Sequence, residues 1–317
     1  MRSAIISGGR GFVGRHLVKA LRRRGVIVRT LGRTQSEDPA DTTHIVLAEE
    51  GWESDELGCI IEHVRPDCIF HLAGRARGTP DELTRANLGL MQSLLRTLRR
   101  IRMRPRLIVA GSAAEYGGAI RDGEPVAETA ICAPLSPYGI SKHAQTREAL
   151  AFADATATSV LVARIFNPLG PGMPTHLAIG DFADQIASMR GHRGTLQVGN
   201  LDVCRDMIDI EHAATLLCQL AENCDACGVV NVCSGQAPLL RELVDLLIDG
   251  CGKKIDIRID WSRIRGNEPY TILGSTDRLA ELGCSPPQTE FTAVIARVCR
   301  DIADRRAQKH DQATLLG

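Results

Sequence analysis

The chain has 317 residues, 44% of them apolar, and its 38 lysines and arginines are matched by 38 aspartates and glutamates. That is long and apolar enough for one large α/β domain or two smaller ones, which excludes a disordered chain. The even balance argues against the cationic excess of a nucleic-acid or anionic-membrane binder. The N-terminus, MRSAIISGGRG, runs at once into an apolar strand and a glycine loop, without a signal-peptide core. No apolar run approaches the length of a bilayer span, so a cytoplasmic location with no membrane contact is expected. Eleven cysteines, an odd number, suit reduced thiols. Cys224 and Cys227 form the one CxxC. No further ligands follow at ordered spacing, so no metal site is expected.

In chain order, apolar runs and amphipathic stretches predict a strand at 4–6, a helix at 13–24, strands at 26–30 and 45–47, and a helix near 53–63. A strand at 68–71, a long helix near 81–100 and a strand at 107–110 follow. A helix from 137 to about 154 and a strand at 160–164 complete the alternation. That rhythm makes a parallel, doubly wound sheet. After FNPLGPGMP the rhythm breaks, and a strand at 229–232 returns to the sheet. The remainder reads as a smaller lobe.

The loop SGGRGFVG joins the first strand to the first helix. Gly9, Arg10, Gly11, Phe12, Val13 and Gly14 spell GxGxxG, and Gly8, Gly11 and Gly14 also fit GxxGxxG. Such glycines permit a tight turn, let backbone N–H groups approach a pyrophosphate and seat the helix close to the sheet. A dinucleotide site is therefore expected here. At the end of the second strand a carboxylate would read a ribose 2′-hydroxyl, whereas an arginine suits a 2′-phosphate. The sequence places Arg33 there, with no acid before Glu37, and Arg10 supplies a second cation or a face for adenine. NADP(H) is favoured, and NAD(H) is the alternative if Arg33 is a solvated loop residue.

Tyr138 and Lys142 are four apart, on one face of a helix. A free phenol has a pKa near 10, and a nearby ammonium lowers it toward a useful proton donor. The other reading is an ordinary aromatic on an exposed helix.

With HLAG at 71–74, Asn87, SAAEYG at 112–117, SPYGISK and FNPLGPG, the order of motifs resembles the extended short-chain dehydrogenase/reductase family of nucleotide-sugar epimerases, dehydratases and reductases. The resemblance runs nearly end to end. It implies an α/β, Rossmann-type doubly wound sheet with a smaller C-terminal substrate-binding lobe. Residues 1–165, with return segments at about 206–234, would bind the dinucleotide, and 166–205 with 235–317 the nucleotide sugar. It also implies that Ser112 bonds the substrate oxygen, that Tyr138 passes the proton, and that Lys142 holds the nicotinamide ribose. Leu72, Ala73 and Asn87 would line the cofactor. Tyr116 would then be a packing residue at the pocket wall.

Dehydratases of this family carry an acid pair or a Ser-Glu pair directly after that hydroxyl residue. Here Ala113 and Ala114 stand in those places, and Glu115 comes one place too late. Hydride and proton transfer at one carbon survives, so a reductase or an epimerase is expected. A non-catalytic dinucleotide sensor is opposed by the presence of Ser112, Tyr138 and Lys142 together. RIFNPLGPG, DFADQI, VGNLDVCRDMIDI, NVCSG and RGNEP most resemble the reductases of GDP-4-keto-6-deoxy-mannose. That likeness implies a nucleotide-diphosphate sugar, GDP favoured, held by Asn167, Arg205, Arg265 and Glu268. RGNE replaces the family's RPxE, and HIVLAEEGW lacks the usual aspartate beside adenine. A homodimer is implied through the helices near 81–100 and 137–154, with Leu88, Met91, Leu95 and Leu98 as an apolar stripe, unless that stripe packs on the parent sheet.

Overall fold

The computed structural model describes residues 1–35, 43–48, 50–52, 55–264, 269–284 and 288–315, with side chains up to residue 304. Its strands are β1 (Ser3–Ser7), β2 (Ile27–Gly32), β3 (His44–Val46), β4 (Cys68–His71), β5 (Arg106–Ser112), β6 (Pro125–Val126), β7 (Val160–Ile165), β8 (Asn167–Leu169), β9 (Arg193–Val198), β10 (Cys204–Arg205), β11 (Met207–Asp209), β12 (Gly228–Val232), β13 (Lys254–Ile259) and β14 (Thr271–Gly274). The helices are α1 (Phe12–Arg23), α2 (Glu56–Val64), α3 (Pro80–Thr84), α4 (Leu90–Ile101), α5 (Pro137–Thr156), α6 (Ala178–Ser188), α7 (Ile210–Glu222), α8 (Leu240–Gly250), α9 (Asp277–Glu281) and α10 (Phe291–Leu315).

Seven parallel strands form the main sheet in the order β12-β7-β5-β4-β1-β2-β3. The central strands are apolar at nearly every position because both faces are covered. Alternate side chains go to opposite sides. Ile5, Ile69, Leu107, Val109 and Val162 pack toward α2, α4 and α5, whereas Ala4, Ile6, Phe70, Ile108 and Ala163 pack toward α1 and α7. The order reverses between β1 and β4, and the carboxyl ends of those strands carry the glycine loop and HLAG, the place where a doubly wound sheet opens a crevice for ligands.

A second core joins Phe182 and Ile186 of α6, Leu196 and Val198 of β9, Leu243 and Leu247 of α8, and Val294 and Val298 of α10. Sheets β11-β8 and β13-β9 contribute to it, whereas β10-β14-β6 packs on a separate cluster of Tyr116, Val126, Phe166 and Cys233. β6, within the segment 1–165, pairs with β14 of the smaller lobe, Pro125 opposite Leu273.

The long helix expected near 81–100 is interrupted. Residues Arg85–Gly89 form a π turn between α3 and α4. The apolar stripe on it also has a different use: Met91, Leu95 and Leu98 are buried against the parent sheet, and Leu88 is half-buried. Among the described residues no helix is long and apolar enough to cross a membrane, and no group of three or more His, Cys, Asp or Glu could hold a metal ion.

Candidate active site

The first element of the site is the glycine loop. Gly8 has φ of +72°, and a Cβ there would lie 2.8 Å from the Ala73 amide nitrogen, so only glycine lets the loop close on HLAG. A Cβ on Gly14 would stand 2.2 Å from the Gly8 carbonyl oxygen, which seats α1 directly on the loop. Gly11 is the N-cap of α1, with no side chain capping it and no acid in the first turn. Amides of an uncapped 12-residue helix and its positive dipole end suit a pyrophosphate, so the residues present fit a dinucleotide. Phe12 and Val13 lie half-buried beside them. Leu72 donates its amide to the Ser7 carbonyl at 3.0 Å, and Ala73 donates to Ser7 Oγ at 3.3 Å, which locks HLAG beside the loop.

Arg33 is exposed just past β2. Arg10 donates to the carbonyl and hydroxyl of Thr34, both at 3.2 Å, and to the Gln35 carbonyl, bringing a second guanidinium to the same strand end. Glu37 lies outside the described residues.

The second element is the end of β5 with the start of α5. Ser136 caps α5 by accepting the Gly139 amide at 3.0 Å, and Pro137 occupies the first turn. A Cβ on Gly139 would come within 2.4 Å of the Ala114 carbonyl oxygen. This close approach brings the start of α5 against the end of β5, with Tyr138 beside Ser112. Ser112, Ala113 and Ala114 are half-buried at the cleft.

Lys142 is 5% exposed, and its ammonium donates to the Ala110 carbonyl and, at 2.5 Å, to Gln145 Oε1. Burial pulls its pKa from 10.5 down to about 8, against the opposing charge of Glu115. The phenol of Tyr138 departs from the expected direction. Burial pushes its pKa up, the nearby Ser112 hydroxyl opposes that, and the Glu115 charge adds to the rise. The lowering expected from Lys142 is not found, its ammonium being bonded to the Ala110 carbonyl and Gln145 Oε1.

Asn87 is fully buried. Its amide accepts the Arg75 N–H at 2.9 Å and donates to the Arg75 carbonyl at 3.0 Å and to Ser141 Oγ at 2.8 Å. Ser141 in turn donates to the Tyr138 carbonyl at 2.8 Å. Asn87 thus positions the segment after HLAG against the helix that carries Tyr138. Tyr116 lies in the core with no exposure, its hydroxyl donating to Asn231 Oδ1 at 2.7 Å.

At the substrate end, Asn167 donates its amide to the Asp206 carbonyl at 2.8 Å. Arg205 donates to the carbonyls of Cys204 (2.7 Å), Pro269 (3.1 Å) and Tyr270 (3.0 Å), holding the chain that follows residues 265–268. The Asp206 carboxylate is occupied by Ser234, Gly235 and Gly274, so an Arg205–Asp206 ion pair is not the arrangement found. Arg265 and Glu268 lie outside the described residues.

Sequence reasoning missed two buried polar groups. His71 has no exposure, and its Nδ1 is hydrogen-bonded with Ser7 Oγ at 3.0 Å; burial and Lys142 push its pKa down to about 3. Arg164, 4% exposed, pairs with Glu115 at 3.1 Å. Arg164 interrupts the apolar buried strand β7, and His71 closes the apolar buried strand β4; a polar residue in such a run was the available signal.

A doubly wound sheet with an uncapped glycine-loop helix beside a Ser-Tyr-Lys group defines a dinucleotide-dependent oxidoreductase. The chain belongs to the NAD dependent epimerase/dehydratase family, whose model matches residues 4–233. It is 29% identical over 307 residues to the GDP-6-deoxy-D-mannose reductase of Pseudomonas aeruginosa, covering 95% of this chain and 97% of that protein. With the dTDP-6-deoxy-L-talose 4-dehydrogenase (NAD(P)(+)) of Kitasatospora kifunensis it shares 30% identity over 255 residues, 80% of each chain. Among solved structures, RMD from Pseudomonas aeruginosa complexed with NADPH superposes with a TM-score of 0.79 at 28% identity, covering 96% of this chain and all of that one.

Proposed function

We propose that the protein reduces the C4 ketone of a nucleotide-linked 4-keto-6-deoxyhexose with NADPH, taking GDP-4-keto-6-deoxy-mannose to GDP-rhamnose or its C4 epimer GDP-6-deoxy-talose. The observation that carries this reading is the grouping of Ser112, Tyr138 and the buried Lys142 where β5 meets α5, with alanines at 113 and 114. Those methyl groups supply neither the acid nor the base that elimination of water requires. By name the two relatives are redox enzymes of a nucleotide-linked 6-deoxyhexose, the dehydrogenase acting at position 4, and they differ in nucleotide. The C4 reaction therefore has firmer support than the base, for which GDP is favoured on the similarity that covers more of the chain.

Bound nicotinamide supplies the hydride to C4. Ser112 polarises the ketone oxygen, Tyr138 donates the proton to it, and Lys142 orients the nicotinamide ribose and holds positive charge behind the phenol. Arg33 and Arg10 read the 2′-phosphate. Asn167, Arg205, Arg265 and Glu268 belong to the diphosphate and nucleoside end. The same reading places the enzyme in the cytoplasm as a homodimer joined through α4 and α5. Since the apolar stripe of α4 is filled internally, the contact uses outward residues such as Ile140, Arg147 and Ala151 of α5. Sedimentation as a monomer would remove the dimer.

The test follows loss of NADPH absorbance with GDP-4-keto-6-deoxy-mannose generated in place, with dTDP- and UDP-linked 4-keto sugars in parallel, and identifies the product. Rapid oxidation with the GDP sugar alone is expected. Tyr138→Phe should lose about 100-fold or more in kcat; if it keeps most of the turnover, the proton route is wrong. No oxidation with any keto sugar would move the reading to a 4-epimerase, assayed next with a saturated nucleotide sugar.

A further inference from the structure

Glu115 is too late in sequence to act on substrate, and it does not face the cleft. It has no exposure, and its two oxygens are divided: Oε1 accepts the Ser112 amide at 2.8 Å, and Oε2 accepts Arg164 Nε at 3.1 Å from the neighbouring strand. Gly111 leaves the room, because a Cβ there would lie 2.7 Å from Oε1. The Arg164 guanidinium stacks 4.5 Å above the Tyr116 ring. The Tyr116 hydroxyl bonds Asn231, whose amide donates at 2.9 Å to the Val126 carbonyl of β6. A polar chain thus runs from beneath Ser112 to the strand that joins the smaller lobe.

Ser112 and Glu115 also form a capping box around a single 3-10 turn. A box of that kind needs no buried acid and no arginine, since it works as well at a solvated surface. Burying both charges gains little stability over apolar packing, and retention of such a pair fits a requirement for one geometry. The geometry secured here is that of Ser112, held extended at φ −150° and ψ 144° with its hydroxyl accepting the Ala114 amide at 3.2 Å.

We propose that Glu115 is a positioning residue for the reducing site: its carboxylate ties the Ser112 backbone to Arg164 and keeps a negative charge beneath the Ser112–Tyr138–Lys142 group. The titratable and charged groups that feel this carboxylate are Tyr138 and Lys142 of α5, Arg164 of β7 and Cys132 of the preceding loop. The inference rests on the reductase reading for its kinetic arm alone.

Two measurements test it. Glu115→Gln keeps an oxygen for the Ser112 amide and removes the charge. In an ultraviolet titration of the phenols, with Tyr138→Phe subtracted, it should lower the Tyr138 midpoint, since a nearby anion no longer opposes phenolate. An unchanged midpoint overturns the electrostatic role, and this arm needs no substrate. Glu115→Ala should lower kcat on the order of 10- to 100-fold, as a small displacement of a reacting group does, yet cause a smaller loss in a Ser112→Ala background, where only its charge still acts. Equal losses in both backgrounds would mean a merely structural role. Should the unpaired Arg164 prevent folding of Glu115→Ala, Glu115→Leu with Arg164→Met fills the volume without charge; wild-type kcat in that double variant overturns the proposal. A wild type inactive on every keto sugar would remove the proposed function while leaving the titration to decide Glu115.

Discussion

At the residue scale the decisive group is Lys142. Its pKa of about 8 lies below the ordinary 10.5 because the ammonium is buried. The sign follows from proton counts. Between about pH 8 and 10.5 the folded chain has released this proton and the unfolded chain keeps it, so stability rises with pH across that window. Below about pH 8 the fold carries a buried ammonium, at a cost of up to about 3 kcal/mol. The Lys142→Met variant should lack this rise, as read from urea midpoints measured across the window. Catalysis should run the other way. Burial makes the Tyr138 phenol harder to ionise than an ordinary one, so the basic limb of kcat/KM falls where Lys142 loses its charge, near pH 8. A profile level to pH 10 would show that the ammonium is not required. That Tyr138 and Lys142 share one helix was legible from their spacing. The direction of the Tyr138 shift was not, because burial by residues distant in sequence decides it.

At the scale of elements, the glycine loop and the α1 start were legible because each depends on contacts within a few residues. Gly14→Ala should be unforgiving, since the atom 2.2 Å from its Cβ is a backbone oxygen that cannot rotate away. A loss of about 1–3 kcal/mol is expected, together with weaker NADPH binding as α1 lifts from the loop. Thermal melts and NADPH fluorescence titration measure both, and unaltered binding would mean that α1 is not the pyrophosphate seat. The π turn at Arg85–Gly89 was not legible. Nothing in TRANLGLM departs from a helical pattern, and the extra residue per turn accompanies contacts of Asn87 with Arg75 and Ser141, which lie 12 and 54 positions away. Strands β6, β8, β10 and β11 were missed for the same reason: two or three residues carry no periodicity, and their partners come from other parts of the chain.

For the molecule as a whole, the sheet and the smaller lobe meet at Asp206. Its side chain has no exposure, and it accepts the amides of Ser234 at 2.9 Å, Gly235 at 3.0 Å and Gly274 at 3.1 Å, with the Ser234 hydroxyl at 3.0 Å. Ser234 and Gly235 follow β12 of the main sheet, and Gly274 ends β14 of the lobe, so one carboxylate joins both. The motif RDMID was readable in sequence as a substrate element, but its aspartate turns inward to hold the two halves together. Asp206→Asn tests this with almost no change of volume. An amide can present its oxygen to Ser234, but its NH2 then faces the N–H groups of Gly235 and Gly274, and donors without acceptors remain in a dry interior. Each such group costs about 1–3 kcal/mol, so a drop of several degrees or more in Tm is expected. Asp206→Asn should also raise KM for the nucleotide sugar more than it lowers kcat, because Asn167 and Arg205 are anchored around this residue while Ser112 and Tyr138 stand on β5 and α5. An equal fall in kcat with KM unchanged would place the join of the two halves elsewhere.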